Sequence, residues 1–184
     1  MPIRRPERAR GPLSAQLRAA LYYARKRRLA RLQGGSTPVV TIFRYWRVLC
    51  EAASNASFTG MADLQMRETS GGADITTTGF AIAGGQFSTN APENAFDGDL
   101  TLTFWNVDKL PLENAWIGQD FGAGNEKEIV EIAIGARVTS VNFNQTPTQF
   151  SVQRSADGVT WTTEWQVTGE PAWSSGEVRV FTKP

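Results

Sequence analysis

The sequence predicts an all-β domain, a sandwich or jelly roll, that follows a basic N-terminal α-helical arm. From residue 37 onward helical periodicity is absent, and short runs of β-branched and aromatic residues alternate with clusters of Gly, Asn, Ser and Thr. Residues 1–33 contain ten Lys and Arg against one acid, whereas the rest of the chain contains nine basic and seventeen acidic residues. Such a split is typical of a basic arm attached to a mildly acidic body.

The arm, residues 1–36, is predicted to be helical from about residue 13 to residue 33. Leu, Ala and Arg recur there at three- and four-residue steps, and Gly34, Gly35 and Pro38 end the pattern. An isolated helix of this length is only marginally stable in water, so we expect it to dock on a partner. The residues expected to make that contact are Leu17, Leu21, Arg25, Arg28 and Leu32.

The arginines of the arm leave three alternatives to docking on a protein. The arm could be a solvated tail, bind nucleic acid by neutralising phosphates, or contact a membrane surface. The body has no basic stripe interleaved with aromatic residues, which disfavours nucleic acid. No apolar run reaches the ~18 residues of a membrane span. We also expect no signal peptide, because the N-terminus lacks an apolar region of the secretory type.

The body, residues 37–184, is predicted to contain about eight strands. In the second of them Ala62, Leu64 and Met66 share one face, and the polar residues between them share the other. Asp157-Gly158 supplies the positive φ of a tight turn, which predicts a hairpin between the runs that flank it. The predicted strands are 41–51, 62–68, 80–83, 115–121, 129–137, 149–154, 160–167 and 177–182.

Two features of the composition exclude much catalytic chemistry. The chain has no histidine and a single cysteine, Cys50, which excludes histidine-dependent catalysis, His-ligated zinc and intrachain disulfides. The carboxylates of one segment alternate with Lys127 and Ile129, which indicates a solvated strand face rather than a pair of glycosidase carboxylates; they are Glu126, Glu128 and Glu131. We therefore expect no enzymatic activity, and we expect Cys50 to be a buried small hydrophobe.

Four segments of the body carry family-like patterns. They are NAFDGDLTLTFW at 94–105, AWIGQDFG at 115–122, FSVQRSADGVTW at 150–161, and RYWRVL at 44–49 with MADLQM at 61–66. Together they resemble the discoidin family, also called coagulation factor 5/8 type C domains, which are galactose-binding-like jelly rolls. The segments that usually close that domain open this one. The body therefore resembles a circular permutant, which a jelly roll tolerates where its original ends lie close together.

Permuted modules of this kind, on short chains with basic N-terminal extensions, resemble virion proteins of tailed bacteriophages. The resemblance implies a non-catalytic protein of the phage particle, made in the host cytoplasm and oligomeric in an assembly. The jelly roll would be a tail-fibre, adhesin or decoration module that binds cell-surface carbohydrate, while the arm docks on capsid, portal or tail proteins. One alternative is a purely structural head or tail component without a glycan ligand. The other is a nucleic-acid-associated virion protein.

A calcium site is expected on the loop that carries Asp97, Asp99 and Thr103, whose oxygen atoms suit a hard cation. The resemblance adds two ligands to a structural Ca²⁺, the Asp63 carboxylate and the backbone carbonyl of Asn94. The alternative is that Asp97 forms an Asx turn and hydrogen-bonds its own backbone.

A carbohydrate-binding rim is expected around Trp173, because this tryptophan lies in a predicted loop. An exposed loop indole can stack on a sugar ring or anchor an interface. The alternative is that Trp173 caps the end of the sandwich. Phe58 and Arg137, with the polar segment 142–145, are further candidates for the rim. Four other tryptophans occupy motif positions and are expected to pack in or against the core: Trp46, Trp105, Trp116 and Trp161.

Overall fold

The computed structural model describes residues 42–184, and they form an all-β sandwich. The predicted arm lies outside the described residues, and so do its expected docking residues Leu17, Leu21, Arg25, Arg28 and Leu32. Within residues 42–184, no helix has the length and apolar character needed to cross a membrane.

Ten strands follow one another in the described part of the chain, joined by loops that include four 3₁₀ helices. The helices are Thr76–Thr78, Pro92–Ala95, Leu112–Asn114 and Asn142–Gln145. The strands are β1 (Tyr45–Ala53), β2 (Phe58–Met61), β3 (Asp63–Arg67), β4 (Phe80–Ala83), β5 (Trp105–Asp108), β6 (Trp116–Asp120), β7 (Glu131–Gly135), β8 (Pro147–Ser155), β9 (Thr162–Val167) and β10 (Val178–Thr182).

The strands form three antiparallel sheets. The largest has the order β4-β6-β1-β8-β9, the second β10-β7-β3, and the third pairs β2 with β5. The eight predicted runs correspond to eight of these strands. Sequence reasoning missed β2 and β5, whose four residues do not form an apolar run like that of the equally short β4. β2 also contains Gly60, where an added Cβ would lie 2.3 Å from the carbonyl oxygen of Trp105, so the close approach of β5 requires glycine.

The core lies between the inner faces of the sheets. In the central strand β1, Trp46, Val48 and Cys50 alternate with half-buried residues and are fully buried, as the β period requires. The rings of Phe150 on β8 and Phe181 on β10 meet edge-to-face at 5.0 Å, which joins the five-stranded and three-stranded sheets. The expectation that Cys50 is buried is confirmed, and burial raises the pKa of its thiol to about 12.

The predicted alternation in β3 is confirmed for its apolar face, but one residue of its polar face is not solvated. Leu64 and Met66 are fully buried in the core. Asp63 points to the opposite face and yet is only 5% exposed. Its cross-strand partner is Gly135, where an added Cβ would lie 2.6 Å from a methyl carbon of Leu100. The loop that carries Leu100 therefore covers this part of the sheet.

The prediction that Glu131 lies on a solvated face is wrong, because this carboxylate is buried and fully hydrogen-bonded. Oε1 accepts from Arg67 Nη1 (2.8 Å) and from the backbone N–H of Gly71 (3.0 Å). Oε2 accepts from the hydroxyls of Ser70 (2.8 Å) and Thr182 (3.0 Å). These donors lower the pKa of Glu131 to about 2, with the backbone N–H of Gly71 the largest cause. The carboxylate thus connects β7 to β3, to β10 and to the loop after β3.

The predicted hairpin at Asp157-Gly158 is confirmed. It joins β8 to β9, which pair antiparallel, and Gly158 has a φ of 75°. The Asp157 carboxylate accepts hydrogen bonds from the backbone N–H groups of Val159 (2.9 Å) and Thr160 (2.7 Å), which lower its pKa. This side chain therefore closes the turn that its position in the sequence predicts.

Candidate functional site

Five connections meet at one end of the sandwich, which we call the loop end: 54–57, 84–91, 109–115, 138–146 and 168–177. The strand registers place them there. Ala53 at the end of β1 pairs with Pro147 at the start of β8, and Phe58 at the start of β2 pairs with Asp108 at the end of β5. β4 and β9 end at the same edge of their sheet, beside the starts of β6 and β8 respectively. The loop end is thus the part of the domain where irregular segments of different strands lie together.

Polar contacts hold these loops to one another. The Asn55 side chain donates to Oδ1 of Asn144 (3.2 Å), and the backbone N–H of Asn55 donates to the Asn144 carbonyl (2.8 Å). Lys109 Nζ donates to the carbonyl of Asn55 (2.7 Å). The backbone N–H of Thr139 donates to Oγ of Ser175 (3.1 Å). The loop end is therefore a connected layer, and it can present side chains in a fixed arrangement.

Phe58, one of the predicted rim residues, is half-buried at the loop end. Its ring makes an edge-to-face contact with Phe87, with the ring centroids 4.7 Å apart. Phe87 is 43% exposed, so the pair presents an aromatic edge to solvent. Phe87 was not predicted. Its isolated position in the polar segment 84–91 carries no periodic signal that would have identified it.

Arg137, a second predicted rim residue, stacks on an aromatic ring that sequence reasoning did not connect with it. Its guanidinium carbon lies 3.5 Å from the ring centroid of Phe104. The side chain is half-buried, and its Nε is buried without a hydrogen-bond partner. Burial lowers the pKa of this guanidinium. The structure thus places a partly desolvated cation beside the loop end.

The expectation that Trp173 offers a free ring for sugar stacking is corrected, because this residue is 3% exposed. Its indole Nε1 donates to the carbonyl of Pro147 (2.9 Å). Its ring lies 4.2 Å from the Arg179 guanidinium and 6.4 Å from the ring of Phe181. Trp173 therefore caps the end of the sandwich, as the alternative interpretation had it, and Arg179 covers it.

The loop expected to bind calcium is closed by its own side chains. Asp97 Oδ1 accepts from the backbone N–H of Asp99 (2.8 Å), which is an Asx turn, and its Oδ2 accepts from the hydroxyl of Thr103 (2.6 Å). Asp99 Oδ1 accepts from the N–H and the hydroxyl of Thr101 and from the N–H of Leu102. These hydrogen bonds lower the pKa of Asp99, the Thr101 hydroxyl most strongly. Both carboxylates therefore hydrogen-bond within their own loop, as the Asx-turn alternative had it.

Asp63, a further expected ligand, accepts from Gln65 Nε2 through Oδ2 (2.9 Å). Burial raises the pKa of Asp63, and repulsion from Asp74 and Asp97 adds to the shift. A bound cation would offset that repulsion, and the carboxylates together with hydroxyl and carbonyl oxygens are the ligands that Ca²⁺ prefers. Asn94 uses its side chain to donate to the carbonyl of Phe104 (3.1 Å). Residues 42–184 contain no group of three acidic or cysteine side chains suited to a metal ion.

A further stacked arginine lies away from the loop end, on the outer face of the five-stranded sheet. The guanidinium of Arg47 lies 4.8 Å from the Trp116 ring and 4.1 Å from the Trp161 ring, and its Nε donates to Gln153 Oε1 (2.8 Å). Burial lowers the pKa of Arg47 to about 10. The expectation that Trp46 and Trp105 are core residues is confirmed, and Trp116 and Trp161 are half-buried around this arginine.

Comparison of the chain with protein-family models, with curated proteins and with solved structures finds no match.

Proposed function

We propose that this protein is a non-catalytic structural protein of a tailed-bacteriophage particle, in which a discoidin-like jelly roll binds cell-surface carbohydrate. The loop end would face outward as a tail-fibre, adhesin or decoration module. The basic arm would anchor the domain on capsid, portal or tail proteins within an oligomeric assembly. This proposal joins the family resemblance of the body to the arrangement of aromatic and polar side chains at the loop end.

The neighbourhood of the first and last strands supports the circular permutant. The backbone of Phe43, just before β1, exchanges two hydrogen bonds with Lys127 (2.8 and 2.9 Å). Lys183, just after β10, donates its backbone N–H to the carbonyl of Val130 (2.8 Å). Both ends of the sandwich therefore attach to one short segment, 127–130. In an unpermuted arrangement a short connection could join them there.

The relative positions of the motif-like segments also support a discoidin-like domain. β1 carries the RYWRVL pattern and lies between β6 and β8, which carry the WIGQDFG and FSVQRS patterns. Three segments that are distant in sequence are therefore neighbouring strands of one sheet. That arrangement is expected if they belong to one module rather than matching by chance.

The observation that carries the binding proposal is the set of groups presented by the loop end and the adjoining 97–104 loop. Flat aromatic surface at Phe58 and Phe87 can pack on the apolar face of a sugar ring, and Phe104 supports the Arg137 guanidinium. The amide N–H groups of Asn144, whose Oδ1 accepts from Asn55, and the terminal Nη groups of Arg137 can hydrogen-bond hydroxyl groups. A few polar groups beside aromatic surface are typical of small-molecule binding sites.

Calcium is proposed as a structural ion beside this surface. Asp63, Asp97 and Thr103 would hold it through oxygen atoms, with the backbone carbonyl of Asn94 as a further ligand. The ion would offset the repulsion between the Asp63 and Asp97 carboxylates and fix the 97–104 loop. Asp99 remains with the backbone of its own loop.

A glycan-array screen of the full chain tests the proposal, with calcium present and again with a chelator. We expect saturable binding that is lost in the double variant Phe58→Ala, Phe87→Ala. Arg47→Gln is the matched control, because Arg47 lies on the sheet face and its loss should leave binding unchanged. The absence of binding to any glycan by a folded protein would contradict the adhesin function and favour a purely structural component.

A further inference from the structure

Arg137 is exceptional among the arginines of the described domain, because its guanidinium forms no hydrogen bond to any residue of 42–184. Arg44, Arg67, Arg154 and Arg179 each pair with a carboxylate. Arg47, the remaining one, donates to Gln153. The same residues include seventeen Asp and Glu against nine Lys and Arg, so acidic partners are abundant in the domain. An arginine whose guanidinium has no hydrogen-bond partner among residues 42–184 is therefore an unexpected feature that needs a physical reason.

The environment of Arg137 makes this lack of a partner costly. Its Nε is buried and unpartnered, and burial is the cause that lowers the pKa of the group. A buried polar group without a hydrogen bond destabilises the folded state, and a charged one more so. A ligand that supplies acceptor oxygens to the terminal Nη groups would stabilise the charge of this partly buried guanidinium, while Nε stays covered.

The guanidinium is also held in place. Phe104 lies under it at 3.5 Å, and the carbonyl of Phe104 accepts from the Asn94 side chain (3.1 Å). The backbone N–H of Val138 donates to the carbonyl of Leu100 (2.7 Å), which fastens the 97–104 loop to the chain that carries Arg137. A stacked, planar guanidinium keeps its fork of donors in one orientation, which suits two acceptor oxygens on one group.

We propose that Arg137, supported by Phe104, recognises an anionic substituent, carboxylate or phosphate, on the glycan that this domain binds. This inference rests on the proposed carbohydrate-binding function and adds the chemical class of the ligand. The terminal Nη groups pair with two oxygens of the anion. Val138, the next residue in the chain, is 44% exposed and offers an apolar contact to the sugar ring that carries the charge.

Titration of the full chain with oligogalacturonide, and with its methyl ester, tests the carboxylate form of the proposal. The two oligosaccharides have the same sugar rings and differ only at the carboxyl group, which is anionic in the acid and a neutral methyl ester in the other. We expect the acid to bind at least about tenfold more tightly than the ester, since a hydrogen bond to a charged group contributes that much or more. Mannose 6-phosphate against mannose forms the second arm and separates phosphate from carboxylate as the anion.

Three variants connect the effect to this residue. Arg137→Met keeps an unbranched side chain over Phe104 and should abolish the preference for the anion. Arg137→Lys keeps the positive charge but lacks the planar set of guanidinium N–H donors, so it should lose part of the preference for the anion. Arg47→Met is the control, a second stacked arginine without a carboxylate partner in the described domain, and it should retain the preference. The melting temperature of Arg137→Met should not fall, because an unpartnered buried donor is removed.

Each outcome of the titrations either supports or overturns the role of Arg137. A preference for either anion that Arg137→Met removes and Arg47→Met retains supports the inference. Equal binding of charged and neutral ligands, or an anion preference that survives Arg137→Met, overturns it and leaves the carbohydrate-binding function standing. Binding of neutral glycans alone on the array also overturns the inference and leaves the carbohydrate-binding function standing. Binding of no glycan at all overturns both.

Discussion

Replacement of Trp173 by alanine separates a structural role for this residue from a role in ligand contact. The indole is 3% exposed, donates to the carbonyl of Pro147 and lies between Arg179 and Phe181. Its removal opens a large cavity between the 168–177 segment and the ends of β8 and β10. It also leaves the Pro147 carbonyl without this donor.

The expected loss of stability follows from these contacts. Truncation of a buried Trp to Ala typically lowers the free energy of unfolding by about 3–5 kcal/mol. The orphaned carbonyl alone accounts for about 1–3 kcal/mol, and this is not fully additive with the cavity. In a chain of this size each kcal/mol shifts the melting temperature by about 2–4 °C, so Trp173→Ala should melt roughly 6–20 °C lower.

Thermal unfolding of the full chain, followed by near-ultraviolet circular dichroism, measures the shift. Trp173→Phe is the first control: it retains most of the buried ring and loses the N–H donor, so it should lose about 1–3 kcal/mol. Trp161→Ala is the second, since that half-buried ring lies on the outer sheet face and should matter less. A melting temperature of Trp173→Ala within about 2 °C of the unmodified protein would refute the capping role.

Three further predictions concern buried titratable groups. The Glu131 carboxylate has a pKa of about 2 in the folded protein. Its contribution to the free energy of unfolding is therefore present above its ordinary pKa and is lost as the pH falls toward 2. Glu131→Gln should therefore melt lower than the unmodified protein at pH 7, and the gap should close between pH 5 and pH 2; a pH-independent gap would contradict this. Since burial raises the pKa of Asp63, that carboxylate destabilises the fold as the pH rises through its folded pKa. In chelator at pH 7 Asp63→Asn should be at least as stable as the unmodified protein, and it should lose the stabilisation by calcium; a retained calcium shift would exclude Asp63 as a ligand. Cys50, whose thiol pKa is about 12, should resist an aromatic disulfide reagent until the domain unfolds; rapid labelling at pH 8 would contradict its burial.

The strands that sequence reasoning identified share a strong local signal. In β1 and β3 apolar and polar residues alternate over five or more positions, and the pattern depends only on the pleat and one buried face. β2 and β5 have four residues each, and unlike β4, whose four residues are all apolar, they are interrupted by Gly60 and by the polar residues Asn106 and Asp108. The hairpin at Asp157 was predictable because both the turn and its side-chain cap are local in sequence.

The burial of Asp63, Glu131 and Trp173 could not be predicted from their own strands and loops. An alternating pattern identifies the outer face of a sheet but does not reveal which loop covers that face. Leu100 covers the Asp63 position from a loop more than thirty residues away in sequence, and Ser70 and Gly71 close over Glu131. Trp173 lies in a loop, as predicted, but loop position does not imply exposure once Arg179 folds over the indole.

The 97–104 loop connects the two proposals about binding. It carries Asp97 and Thr103, which are proposed to hold calcium together with Asp63, and its last residue is Phe104, on which Arg137 stacks. The loop is fastened at Leu100 and at the Phe104 carbonyl by backbone and side-chain hydrogen bonds. An ion at Asp97 therefore acts on the same segment that orients the guanidinium, although it need not touch a ligand. Because ordering of that segment before binding lowers the entropy lost on binding, calcium would raise affinity without adding a contact of its own.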